Sequence, residues 1–103
     1  MSLRLNTAMI ARIEADRIYA LILPEMEGRE TVTVPLPFLE NVLTTGKKLE
    51  GLAPTYVKRA LDDLTGTTRI RRFRRKAVVP RQRLASVAAA FRIAADAADG
   101  RLP

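Results

Sequence analysis

Between Arg69 and Arg83 the chain reads RIRRFRRKAVVPRQR, eight cations in fifteen positions with no acid among them. Seven arginines and one lysine at that density suit a polyanion. Nucleic acid presents closely spaced phosphates, and neutralising them releases condensed counterions. The planar guanidinium takes two phosphate oxygens at once and stacks on bases. The residues expected to make such contacts are Arg69, Arg71, Arg72, Arg74, Arg75, Lys76, Arg81 and Arg83. Phe73 stands among them and could stack on a base, although at helical spacing from Ile70 it reads better as core. Two other readings stay open: docking on an acidic protein surface, or a merely solvated face. A face kept for solubility mixes both signs, whereas no acid occurs from Leu64 to Ala95. A membrane surface fits less well, because Ile70, Phe73 and Ala77 are too few for an embedded apolar face.

No catalytic constellation accompanies the run. The chain has no Cys and no His, which removes thiolate chemistry, the commonest general base and the commonest zinc ligand. Asp62 and Asp63 are adjacent, and adjacent helical residues do not face each other. Glu25, Glu27 and Glu30 surround a turn without a further ligand at fixed spacing. Thr44-Thr45-Gly46-Lys47-Lys48 lacks the first Gly and the Lys-Ser/Thr ending of a phosphate loop. Ser2 and Ser86 have no base beside them. The expectation is a non-enzyme with no metal site and no cofactor.

The elements that must hold these cations fall into two parts. Residues 1–63 carry nine acids against eight bases, and residues 64–103 carry ten bases against two acids. The 103 residues suit one compact domain, divided here into a small β-rich module over 1–52 and a basic helical region over 53–103. Hydrophobic residues make up 48% of the chain and aromatics 5%, so the core must be small and closely spaced or completed by a second subunit. No apolar run approaches a membrane span, and the first residues lack the shape of a signal peptide. A cytoplasmic protein, or one within a virion, is expected, with no membrane partner.

In the first part, Met9-Ala11-Ile13 alternates with Ile10-Arg12-Glu14, and the large apolar residues of 9–22 point all round a helical wheel. That favours two strands, 9–13 and 18–23, joined at Glu14–Arg17. Thr31–Val34 reads as a third strand ended by Pro35 and Pro37. A short helical turn over Phe38–Leu43 follows, closed by Gly46, and Lys47–Glu50 reads as one more short strand. The expected fold class is α+β: a small twisted antiparallel β-sheet or partial barrel in the N-terminal half, followed by two or three helices.

Two resemblances touch this part. The run ARIEADRIYALIL…TVTVPLPFL…GKKLEG resembles a small bacterial family of unknown function with a D-R-I-E-G-D opening. Arg12-Ile13-Glu14 and Asp16 match it, while Ala11 and Ala15 depart. The run TVTVPLPFLENVLTTGKKLE looks like the swapped-hairpin DNA-binding antitoxins and transition-state regulators. Val32-Thr33-Val34-Pro35, Gly46 and Leu49 match that pattern, while Lys47 departs and the intervening helix is a residue short. The second resemblance implies a regulator that reads DNA with its β-part.

In the second part, Pro54 opens a helix over Thr55–Leu64 with Val57, Leu61 and Leu64 on one stripe and Gly66 at its end. Residues 67–79 fit a helix or a strand, with helical spacing slightly better. Val78-Val79-Pro80 is extended in either case. From Arg81 to Asp99, Leu84, Val87, Phe91, Ala94 and Ala98 recur at alternating spacings of 3 and 4, a two-position seam that packs on its own chain or builds a homo-oligomer. The favoured function is non-catalytic binding of DNA or RNA through residues 69–83. The leading alternative is a structural or assembly protein, for example of a phage particle, in which the basic segment and the seam are subunit contacts.

Overall fold

The computed structural model describes residues 3–23 and 30–100, with side chains from Thr7 onward. Its elements are α1 (Leu3–Ile22), β1 (Thr31–Pro35), α2 (Leu36–Leu49), α3 (Pro54–Thr67), β2 (Arg69–Arg71), β3 (Lys76–Pro80) and α4 (Arg81–Ala98). A three-residue 3-10 turn, Arg72–Arg74, lies between β2 and β3. The expected α+β class holds. The sheet is antiparallel, three-stranded and open, in the order β1-β3-β2.

Residues 9–23 are not two strands. Residues 9–22 belong to α1, one helix of twenty residues. The wheel misled because the large apolar residues do not define the buried face. Ala8, Ala11, Ala15, Ile18 and Ile22 are buried, while Met9, Ile10 and Ile13 lie about half exposed. The buried face therefore steps by 3, 4, 3 and 4, an apolar stripe carried in half its length by alanine. With 9–23 helical, the D-R-I-E-G-D-like run forms no strand pair.

The seam of α4 has the same spacing, and Leu84, Val87, Phe91, Ala94 and Ala98 are all buried within the chain. Its main partner is α1. Arg12 of α1 donates to Asp96 at 3.2 Å and to Asp99 at 2.6 Å, and Arg92 of α4 donates to Asp16 at 3.2 Å. The Arg92 guanidinium also lies 4.4 Å from the ring centre of Tyr19. These pairs make the two helices antiparallel. Ala8 and Ala11 then lie toward the end that carries Ala94 and Ala98, and Ile18 and Ile22 toward the end that carries Leu84 and Val87. Hydrogen bonding to Asp99, above all, holds the Arg12 guanidinium above its usual range. Of the two readings of the seam, packing on its own chain or building a homo-oligomer, its burial within the chain agrees with the first.

α2 runs past Gly46, which was expected to end it, and takes in Lys47–Leu49, which was expected as a strand. Gly46 is buried against Leu61 of α3; a Cβ there would come within 2.8 Å of Leu61 Cδ2. The glycine lets two helices approach and does not stop one. Lys47 and Lys48 complement the dipole at the end of α2. Because 46–49 is helical, the strand–helix–strand order of the swapped-hairpin regulators is absent. Four residues, Glu50-Gly51-Leu52-Ala53, then lead into α3, with Pro54 in its first turn. Val57, Leu61 and Leu64 are buried as expected. α3 continues through Gly66 to Thr67. The hydroxyls of Thr65, Thr67 and Thr68 donate back to the carbonyls of Leu61, Asp63 and Leu64 one turn earlier; of these only the Leu64 carbonyl is among the last four, which lack partners within the helix.

Candidate nucleic-acid interface

Residues 69–80 are a β-hairpin, not the helix that spacing slightly favoured. Arg69 pairs with Val78, Ile70 with Ala77 and Arg71 with Lys76. β3 also pairs with β1, from Thr31 opposite Pro80 to Pro35 opposite Lys76. Strand geometry sends alternate side chains to opposite faces. Ala77 and Val79 face the core with Val32 and Val34, and all four are buried. The outward positions of β2 and β3 carry Arg69, Arg71 and Lys76. Ile70 faces inward but sits on the outer strand, and it stays about half exposed. That position reconciles the split pattern of the run with a strand. Among the described residues no strand lies beyond β2, and its arginines guard the edge against pairing with another chain.

The turn between the strands holds Arg72, Phe73, Arg74 and Arg75. Arg75 closes it in the left-handed region, at φ 52°, the only non-glycine residue with positive φ among those described. Its N–H donates to the Arg72 carbonyl at 3.1 Å, and its carbonyl accepts from the Leu36 N–H at 3.0 Å. The second bond ties the base of the turn to the first residue of α2. The hairpin is thereby fixed to the helical frame at the β3 side of its tip.

Every residue from Arg69 to Lys76 is exposed. Among the described residues, no carboxylate pairs with Arg69, Arg71, Arg72, Arg74, Arg75 or Lys76. The ion pairs of those residues join Arg12, Arg17, Arg83 and Arg92 to acids elsewhere. Arg71 lies directly across from Lys76, a like-charge pairing that disfavours the hairpin by itself. Together with Arg74, Thr33 and Val78 these two line an open hollow on the outer face of the sheet. Three cations thus converge on a concave surface whose described lining contains no anion.

Two of the eight expected residues stand apart. Arg81 is half-buried at the start of α4, where its N–H donates to the Glu30 carbonyl at 2.8 Å. Arg83 faces Asp63 of α3 at 3.5 Å, both side chains about half exposed. Such an exposed pair contributes little, so Arg83 is only loosely held. Phe73, read as core, is the opposite: its exposure is 101%, that of a side chain in an open peptide. It projects from the tip of the hairpin between Arg72 and Arg74.

The sequence reading missed one element of this surface. α3 follows α2 across a four-residue connection containing Gly51, a helix-turn-helix spacing. Its first two turns expose Thr55, Tyr56, Lys58 and Arg59, and its last residue is two positions from β2. A hydroxyl, an aromatic and two cations at the start of a helix after Gly-x-x-Pro were a legible signal. Comparison with protein-family models, curated proteins and solved structures returns no match.

Proposed function

We propose that the protein is a non-catalytic DNA-binding protein that grips duplex phosphates with the hairpin of residues 69–76. The observation that carries this is the row of six exposed cations, none paired with a carboxylate among the described residues, held on a two-stranded arm. Cations that cap an internal interface would face acids, as Arg12 and Arg92 do. Cations left facing solvent on one arm, with no counterion among the described residues, make a positive field in which polyanions accumulate. The arrangement favours duplex DNA over an unspecified polyanion because of what adjoins the arm. The order helix–strand–helix–helix–strand–turn–strand, with β1 flanking β3, is that of a winged helix-turn-helix. In a helix-turn-helix the second helix enters the major groove by its N-terminal residues, here Thr55, Tyr56, Lys58 and Arg59. Topology alone does not make a function; the charges and their placement carry this one.

Binding to a random-sequence duplex at two salt concentrations tests the proposal. Affinity should fall steeply with salt, with a slope of about −0.9 per phosphate neutralised. The triple variant R72E/R74E/R75E should lose detectable binding while keeping its unfolding midpoint, since none of the three side chains packs on the core. Unchanged binding by that variant would refute the assignment. The assembly reading keeps one observation of its own, the outward Met9, Ile10 and Ile13 of α1. Light scattering decides it: self-association abolished by replacing those three with Ser, in a protein that ignores duplex at low salt, would favour assembly.

A further inference from the structure

We propose that Phe73 is a wedge that enters the base stack of a bound duplex and bends it. This deepens the DNA-binding reading and rests on it. Burying a phenylalanine ring is favourable, and with Phe73 fully exposed the fold forgoes that gain. The fold has no use for the ring. The turn is closed by Arg75, the strand register by residues 69–71 and 76–78, and the core by other residues. Its neighbours say what it faces. Arg72, Arg74 and Arg75 flank it within two positions on either side, and all are exposed. An apolar residue at the centre of a cationic tip can be brought against a phosphate backbone and still have somewhere apolar to go, namely between two bases.

Wedges of this kind, Phe among them, partly unstack a base step and kink the duplex, while arginines beside them hold the phosphates. The hairpin supplies both parts. It is anchored at its base by the Arg75 carbonyl to Leu36 and is unencumbered at its tip. A single ring is also a weak membrane anchor, since an interfacial element needs a broad apolar face, and Ile70 is the nearest other exposed apolar residue. The ring therefore fits a base step better than a bilayer.

The test uses a short random-sequence duplex with a donor and an acceptor dye at its two ends and 2-aminopurine at central positions. With the wild-type protein at low salt, energy transfer should rise as the ends approach, and 2-aminopurine fluorescence should rise as its stacking is lost. Phe73→Ala should abolish both signals and weaken binding by about tenfold, with the salt slope unchanged because no charge is lost. Phe73→Leu, which keeps an apolar wedge, should retain part of the bend. Thermal unfolding of both variants should match wild type, because Phe73 packs on nothing. Tight, salt-sensitive binding by wild type with neither optical signal would overturn the wedge and leave the phosphate-gripping arm standing. Absence of any duplex binding at low salt would overturn both. Phe73-dependent binding to vesicles of anionic phospholipid, without duplex bending, would overturn the wedge in favour of a membrane.

Discussion

Arg75 carries the clearest trade between stability and use. A non-glycine residue in the left-handed region costs roughly 1–2 kcal/mol, and glycine would adopt the same φ without that penalty. Arg75→Gly should therefore raise stability by about 1 kcal/mol in urea unfolding, while weakening duplex binding and lowering its salt slope by about one. A loss of stability would mean that the guanidinium is held by the fold. The same logic applies to Arg71 and Lys76, which face each other across the strands. Lys76→Glu would turn a repulsive pair into an attractive one, worth about 0.2–1 kcal/mol to the hairpin. Under the proposed function duplex binding should nevertheless drop, because two cations facing the phosphates become a neutral pair. Stability and affinity moving in opposite directions is the signature of residues retained for a partner.

Among the elements, two glycines inside helices show how neighbours decide a residue's effect. Gly66 in α3 has nothing within 4 Å of where a Cβ would stand. Gly66→Ala should stabilise by up to about 1 kcal/mol through helix propensity alone. Gly46 in α2 would drive its Cβ into the side chain of Leu61, which is itself 6% exposed and has little room to turn. Gly46→Ala should cost about 1–3 kcal/mol by overpacking, less the propensity gained. Chemical denaturation of the two variants side by side reads the difference, and equal shifts would contradict the α2–α3 contact. The contact matters to the site because it sets where α3 sits relative to the hairpin.

For the molecule as a whole, α1 and α4 form the frame on which the elements proposed to bind DNA are mounted. Alanine supplies eleven of the twenty-five buried apolar residues identified, so each contributes little area, and the few large side chains carry much of the stability. Phe91 is fully buried in this frame. Phe91→Ala should cost about 3–5 kcal/mol, a large share of the 5–15 kcal/mol typical of a domain. Its thermal midpoint should fall by well over 10 °C, and duplex binding below that midpoint should be close to wild type. A Phe91→Ala protein with an unchanged midpoint would show that α4 does not pack on α1 as described.

The amino-acid order determined the class of the fold, the strand Thr31–Pro35, the helices from Pro54 and Arg81, and the place of the charge. Each of these is written in local terms: β-branching between prolines, a proline at a helix start, a strict alternation of 3 and 4, an acid-free run. What the order left undecided were features set by distant neighbours. α1 was taken for strands because Ala8, Ala11 and Ala15 make up much of its buried face, and alanine marks no side of a wheel until a partner helix covers it. Gly46 was taken for a stop because its reason for being glycine, Leu61, lies fifteen residues away. The seam of α4 was legible, but its partner was not. The tertiary structure alone settled the point that matters most for function: with residues 69–80 paired as a hairpin, Phe73 and its flanking arginines turn outward together at a tip, where helical spacing would have buried the ring.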